Sequence, residues 1–139
     1  MKVVIDASAL LATVLPEQNR SLRDTTSAML AGHDLIAPPV WPVEIVGGLA
    51  KAEWMQRISS DICDYSWSIL IEVFGAVEIA VPAELSAILA TCRQHQLRGA
   101  DATYLELAVR LGIPLLTGDK ALARAARAAA VDLLYDPHA

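Results

Sequence analysis

Four acidic residues interrupt or end stretches of the sequence that otherwise look buried. They are Asp6, Glu44, Asp101 and Asp119. A carboxylate removed from water is strongly penalised unless it is paired, protonated or bound to a cation, and no lysine or arginine lies directly beside the first three in the sequence. One shared metal site would explain all four. A site whose ligands are all carboxylates is typical of Mg²⁺ and similar hard cations. Such a site indicates chemistry on phosphate groups.

Each acid taken alone also has a structural interpretation. Asp101 and Asp119 stand at predicted helix starts, where a carboxylate can cap free amides, and Asp6 fits an Asx-turn with the amide of Ser8. Glu44 is harder to explain in this way, because it adjoins the apolar stripe of its predicted helix. The hypothesis of a metal site therefore rests on the four acids together.

Two hydroxyl side chains lie two positions from an acid. Ser8 either caps the first helix, which we favour slightly, or supports Asp6 or a metal-bound water. Thr117 is placed to bind such a water or a substrate phosphate beside Asp119. The histidines are isolated from the acids, so we assign no general base to them; they are His33, His95 and His138.

The composition fits one domain covering residues 1–139, with 55% hydrophobic residues and enough chain to bury a core. No apolar stretch reaches the length of about 18 residues that a membrane-spanning helix needs, and the N-terminus lacks a secretory signal pattern. We therefore expect a cytoplasmic protein without a membrane partner. Cys63 and Cys92 lack ligand spacing, so reduced thiols are favoured over a disulfide or a zinc site.

The net charge of −5 argues against a broad nucleic-acid-binding surface. The charge is unevenly distributed, however, because residues 1–92 hold five basic and eleven acidic residues, whereas residues 93–139 hold six and five. A locally positive surface is possible near Arg98, Lys120 and Arg124, although scattered solvated charges explain each of these residues equally well.

Strand and helix patterns alternate along the chain. Strands are predicted at 2–5, 35–37, 77–81, 113–116 and 131–135. Helices are predicted at 8–14, 20–31, 41–57, 59–75, 83–95, 100–111 and 120–130, with left-handed glycine caps at Gly32 and Gly112. The Gly47-Gly48 pair inside a helix suggests close packing there.

This alternation predicts an α/β fold with a mainly parallel, doubly wound sheet. Ligands of such sheets collect beyond the carboxyl ends of the strands. Asp6 and Asp119 each follow a strand, while Glu44 and Asp101 lie on adjoining helices. We therefore expect all four acids at one edge of the sheet.

The acids stand in four motifs that span essentially the whole chain. The motifs are Val-Val-Ile-Asp6-Ala-Ser8-Ala-Leu, Val-Glu44-Ile-Val-x-x-Leu49, Arg-Gly-Ala-Asp101-Ala-x-Tyr104-Leu-x-Leu-Ala108 and Leu-Leu-Thr117-Gly-Asp119-Lys-x-Leu. In this order they resemble the PIN-domain ribonucleases, and among these the VapC-type toxins of bacterial and archaeal toxin-antitoxin pairs.

The resemblance implies a Rossmann-like three-layer α/β/α sandwich and a metal-dependent endoribonuclease that uses Mg²⁺ or Mn²⁺. It implies that the catalytic and metal-binding set is Asp6, Glu44, Asp101 and Asp119, with Ser8 and Thr117 in support. It further implies an RNA substrate, a homodimer and a cognate antitoxin that occupies the active-site groove, with a higher toxin-antitoxin assembly as a further possibility. The acidic net charge favours a small structured RNA over a wide footprint.

Other interpretations remain open at this stage. A PIN nuclease of RNA processing that is no toxin, and a non-catalytic module that binds a partner protein, both fit the fold. Phosphotransfer domains fit less well, because Ser8 stands where a dehalogenase-like phosphatase needs a second aspartate. Apolar helix faces with Trp54, Trp67 and Ile69 are candidates for a dimer surface, but core packing is the favoured interpretation for each.

Overall fold

A parallel sheet of four strands forms the centre of the described part of the protein. The structure is a computed structural model that describes residues 1–16 and 19–137. The strands are β1 (Lys2–Ile5), β2 (Asp34–Ala37), β3 (Val77–Ile79) and β4 (Leu115–Leu116), in the order β3-β2-β1-β4. Val4 of β1 pairs with Ile36 on one side and with Leu115 on the other. Val4 is fully buried because β1 is central and both sheet faces are covered.

Helices fill the connections between the strands. They are α1 (Ala7–Val14), α2 (Arg20–Gly32), α3 (Trp41–Trp54), α4 (Ser60–Phe74), α5 (Leu85–His95), α6 (Gly99–Leu111) and α7 (Lys120–Ala128). Parallel strands require such crossovers, since a hairpin can join only antiparallel neighbours. The predicted α/β/α sandwich with a parallel sheet is confirmed. Among the described residues, no helix is long and apolar enough to span a membrane.

The strand order creates a switch point between β1 and β4. The chain moves from β1 to β2 and β3 in one direction and then returns to place β4 on the opposite side of β1. Crevices beyond the carboxyl ends of the strands at such a point are the usual ligand sites of open α/β sheets. Asp6 directly follows β1, and Thr117 directly follows β4.

The predicted closing strand at 131–135 is wrong as an element. Leu133 forms only an isolated parallel bridge with Leu115, and the amide of Leu134 donates to the Leu115 carbonyl at 3.2 Å. The partner strand β4 is only two residues long, so it offers a short ladder. The third strand likewise ends at Ile79, two residues before the predicted end.

Two glycine predictions have opposite outcomes. Gly112 ends α6 in the left-handed conformation with φ 64°, as predicted. Gly32 is the last residue of α2 and has no positive φ, because His33 follows in an extended conformation and its amide donates to the Met29 carbonyl. The left-handed cap predicted at Gly32 is therefore wrong.

Close packing inside α3 concerns Gly48 alone. A Cβ atom at Gly48 would lie 2.4 Å from Cδ1 of Leu11, so α1 and α3 approach closely at this position. A Cβ atom at Gly47 would meet nothing within 4 Å. The predicted packing role is thus confirmed for Gly48 and wrong for Gly47.

The three side chains considered for a dimer surface on α3 and α4 are exposed. Trp54 is 76% exposed, and Trp67 and Ile69 are 39% and 38% exposed. The favoured interpretation of core packing is therefore wrong for these side chains. The large buried aromatic residues are instead Trp41 and Tyr104, which are 0% and 1% exposed.

Candidate active site

Asp6 is buried and held by three hydrogen bonds at the end of β1. It is the N-cap of α1, and its Oδ1 accepts from the Ala9 amide at 3.0 Å and from the Ser8 hydroxyl at 2.8 Å. Its Oδ2 accepts from the Thr117 hydroxyl. The sequence suggested an Asx-turn between Asp6 and the amide of Ser8. In the structure, the amide that Asp6 caps is that of Ala9. Asp6 is only 4% exposed, so its orientation is fixed.

Two hydroxyl groups connect the loops that follow β1 and β4. Ser8 lies inside α1 and not at its N-cap, so the favoured capping interpretation is wrong. Its Oγ donates to Asp6 and accepts from the Gly118 amide at 2.9 Å. Thr117 donates to Asp6 and accepts from the Asp119 amide at 2.9 Å. Both hydroxyls therefore have a donor and an acceptor partner beside Asp6.

Asp119 caps the N-terminus of α7, as one sequence interpretation predicted. Its Oδ1 accepts from the Leu122 amide at 2.8 Å. Within the described residues its Oδ2 receives no hydrogen bond, so one carboxylate oxygen stays open to a ligand. A cap does not exclude cation binding, because the two oxygens can serve different partners.

Glu44 lies in the first turn of α3 and pairs with a tyrosine on α6. The Tyr104 hydroxyl donates to Glu44 Oε1 at 2.5 Å, across 60 positions of sequence. Tyr104 is 1% exposed, whereas Glu44 is half-buried. Burial, together with the hydrogen bond to Glu44 and the nearby charges of Glu44 and Asp6, raises the pKa of Tyr104 above its usual range.

Tyr104 was missed as a site residue by sequence reasoning. A buried tyrosine on an amphipathic helix is normally interpreted as core. The available signal was its spacing, because Tyr104 follows Asp101 by three positions and so lies on the same face of α6.

Asp101 stands in the first turn of α6 but caps no amide. The N-cap of this helix is Arg98, which forms no side-chain capping bond. Burial raises the pKa of the half-buried Asp101 carboxyl, and the negative charges of Asp119 and Glu44 raise it further, while Arg98 lowers it. The charge of Asp101 therefore interacts with the charges of Asp119 and Glu44.

Interactions between negative charges connect four acids into one group. We call this group the acidic site; it consists of Asp6, Glu44, Asp101 and Asp119. Burial raises the pKa of Asp6 to about 6, against the opposing effects of its hydrogen bonds, and Asp119 adds a smaller increase. The negative charge of Asp119 thus raises the pKa of both Asp6 and Asp101, and the negative charge of Glu44 raises the pKa of Asp101. Mutual repulsion of this kind is relieved when a cation binds.

The donor chemistry of the acidic site fits a hard divalent cation. All candidate ligands are carboxylate oxygens, and none of the four forms an ion pair with a lysine or arginine in the described part of the chain. Over residues 1–16 and 19–137, however, no three Asp, Glu, His or Cys side chains already form a ready-made metal cluster. The fit therefore rests on the chemistry of the donors, and water molecules can complete the coordination of a hard cation.

The two histidines in the described part of the chain give no alternative ligand set. His33 precedes β2, at the end of the sheet opposite the strand ends that carry the acidic site. His95 ends α5 and belongs to no metal-binding group of described residues. His138 lies outside the described residues.

Comparison with known proteins places the chain in a family. The PIN domain family model matches residues 3–128, and the chain belongs to this family. Among its relatives is "Ribonuclease VapC3" of Mycobacterium tuberculosis, 34% identical over 127 residues, covering 89% of this chain and 87% of the relative. "Ribonuclease VapC3" of Pyrobaculum aerophilum is 30% identical over 124 residues, covering 88% and 93%. The predicted likeness to VapC-type PIN ribonucleases is thereby confirmed.

A solved structure supports the fold separately. The crystal structure of PAE2754 from Pyrobaculum aerophilum superimposes with a TM-score of 0.71 and covers 90% of this chain and 84% of that protein. Its sequence identity is 21%, so this likeness is informative about the fold alone.

Proposed function

We propose that residues 1–139 form one nuclease domain, a Mg²⁺- or Mn²⁺-dependent endoribonuclease that acts as the toxin of a toxin-antitoxin pair. The observation that carries the proposal is the acidic site, whose carboxylates interact with one another and have no ion-pair partner among the described residues. Family membership and the names of the VapC relatives support RNA as the substrate class.

The four carboxylates of the acidic site would hold the cation. When bound, a divalent ion lowers the pKa of water and offsets the charge that builds up on a phosphodiester during in-line attack. Asp6 contributes a buried carboxylate whose direction is fixed by Ser8 and Thr117. Asp119 contributes its open Oδ2, while its Oδ1 remains bonded to α7.

Basic side chains on α6, which carries Asp101, and on α7, which follows Asp119, would contact RNA phosphates. Arg98 is exposed at the N-cap of α6, and Lys120 is exposed at the first position of α7. Arg124 is exposed one turn further along α7. A few cations on an acidic protein suit a small structured RNA better than a long single strand, because non-specific affinity grows with the number of neutralised phosphates.

The proposed partners are a cognate antitoxin and a second copy of the chain, with a larger toxin-antitoxin assembly built from both. Exposed apolar side chains on α3 and α4 support protein binding, since large exposed apolar groups mark interaction surfaces; they include Val43, Trp54, Tyr65 and Ile71. A toxin with this role would act in the cytoplasm, where its RNA target is found.

Cleavage of RNA by the purified protein tests the catalytic proposal. We expect cleavage in Mg²⁺ or Mn²⁺, loss of cleavage in EDTA, and a loss of at least about 100-fold in the Asp101→Asn variant. Asp132→Asn is the matched control, because Asp132 is exposed beside the amino end of β4 and should leave the rate unchanged. Cleavage by Asp101→Asn at the wild-type rate would show that the site assignment is wrong.

The toxin role needs a separate test. Expression of the chain should arrest growth, and co-expression of the protein encoded by the neighbouring reading frame should restore it. Sequencing of RNA ends after brief induction then identifies the target. Cleavage without growth arrest would favour a PIN nuclease of RNA processing, whereas partner binding without cleavage would favour a non-catalytic module.

A further inference from the structure

Among the residues that the structure describes, Tyr104 is the one buried phenol that touches the acidic site. Its side chain is 1% exposed, and its hydroxyl donates to Glu44 Oε1. The ring is anchored on α6, one turn after Asp101, while Glu44 belongs to α3. The hydrogen bond therefore connects the two helices that carry two acids of the site.

Glu44 accepts this hydrogen bond, so its carboxylate keeps lone pairs that can bind a further partner. A carboxylate has two oxygens with about four lone-pair sites. Tyr104 uses one site on Oε1, and within the described residues Oε2 accepts no hydrogen bond. The glutamate side chain has several rotatable bonds, and binding a ligand through Oε2 would cost conformational entropy. Because Tyr104 already holds Oε1, part of that entropy is lost before the ligand binds.

We propose that Tyr104 is a positioning residue, which holds the Glu44 carboxylate toward the other acids so that Glu44 can bind the divalent cation. This inference rests on the proposed function, because it assigns a role toward the cation of the same site. Groups that orient metal ligands through hydrogen bonds typically change metal affinity about 10- to 100-fold when removed. Tyr104 itself does not touch the substrate or the cation.

The competing interpretation is that Tyr104 is a core residue whose hydroxyl uses the nearest acceptor. Tyr104→Phe separates the two, because it keeps the buried ring and removes only the donor. Tyr135→Phe is the matched control, since the Tyr135 hydroxyl is also hydrogen-bonded, but to Asn19 and not to an acid of the site. Thermal melting without metal reports whether each variant is folded.

The test is Mn²⁺ affinity, measured on the free protein without RNA by electron paramagnetic resonance of unbound Mn²⁺. We expect Tyr104→Phe to bind Mn²⁺ about tenfold more weakly than the wild type and Tyr135→Phe to bind it equally well. In a Glu44→Gln background the Tyr104→Phe change should have no further effect, because its role passes through Glu44.

The outcomes distinguish this inference from the proposed function. Wild-type protein that binds Mn²⁺, with Tyr104→Phe binding it equally or more tightly, overturns the positioning role alone. An equal loss of affinity from Tyr104→Phe in the presence and absence of Glu44 also overturns it. Wild-type protein that binds no Mn²⁺ overturns both the metal-dependent function and the role of Tyr104.

Discussion

The Thr117 hydroxyl donates a hydrogen bond to Asp6 Oδ2, although the two residues are 111 positions apart in sequence. Both side chains are buried, and Thr117 also accepts from the Asp119 amide at 2.9 Å. One hydroxyl thus fixes the carboxylate after β1 and the loop after β4. Since these are the two strands at the switch point, Thr117 and Ser8 together hold Asp6 close to the loop that carries Asp119.

Replacing Thr117 by valine tests this connection. Thr117→Val keeps the shape but leaves the Asp119 amide without its hydroxyl partner, so we expect a loss of about 1 to 3 kcal/mol in the free energy of unfolding. Urea denaturation in EDTA measures it. Thr25→Val is the control, because the hydrogen bond from the Thr25 hydroxyl to the Ser21 carbonyl is exposed. Its loss should change stability by less than about 0.5 kcal/mol. Equal stability of the two variants would contradict the connection.

The raised pKa of Asp6 predicts a dependence of stability on pH. Burial disfavours the charged form of Asp6 and raises its pKa in the folded protein from the ordinary 3.8 to about 6. Between these values the folded state keeps a proton that the unfolded state has lost, so the Asp6 contribution to stability falls as pH rises through this window. Below it the contribution is fully present.

The Asp6→Asn variant isolates this contribution. Without metal, the wild type should lose on the order of 2 to 3 kcal/mol relative to Asp6→Asn between pH 4 and pH 7. Urea denaturation at both pH values in EDTA gives the difference. Asp132→Asn, at an exposed position, should follow the wild type. If the difference in stability between the wild type and Asp6→Asn did not change with pH, this would show that burial does not raise the pKa of Asp6.

The two neighbouring glycines of α3 predict opposite effects of the same substitution. Gly47→Ala meets nothing within 4 Å, so its better helix propensity should stabilise the protein by up to about 1 kcal/mol. Gly48→Ala places a Cβ atom 2.4 Å from Leu11 Cδ1, and we expect it to be about 1 to 3 kcal/mol less stable than Gly47→Ala. Thermal melting ranks the pair, and equal melting temperatures would contradict close contact between α1 and α3.

Divalent metal should stabilise the folded protein. A cation that binds only the folded state adds about 2.7 kcal/mol at 100 times its dissociation constant. We therefore expect Mn²⁺ or Mg²⁺ to raise the melting temperature of the wild type and to have a much smaller effect on Asp101→Asn. A wild-type melting temperature that is insensitive to both ions would count strongly against a metal site.

The sheet and the ends of several helices could be predicted because their signals are local. Val3, Val4 and Ile5 form an uninterrupted β-branched run, which is typical of a strand covered on both faces. Gly112 takes the left-handed conformation for which glycine is suited. By contrast, a strand at 131–135 also needs a long partner, and the two-residue β4 does not provide one.

The acids of the site could be proposed from sequence, but their hydrogen-bond partners could not. Ser8 has the residue type of an N-cap, yet Asp6 is the N-cap and Ser8 supports it, because the Gly118 amide reaches the Ser8 hydroxyl from the loop after β4. The pairing of Tyr104 with Glu44 likewise depends on how α6 packs near α3. Such long-range contacts leave no local pattern in a single sequence.

The location of Mn²⁺ in crystals of the wild-type protein tests the central claim most directly. Data collected near the manganese absorption edge should show an anomalous difference peak among the carboxylates of Asp6, Glu44, Asp101 and Asp119, and crystals of Asp101→Asn should show it weakened or absent. The absence of a peak at this site with millimolar Mn²⁺, or a peak only elsewhere on the protein, would contradict the claim that these four residues hold a catalytic cation.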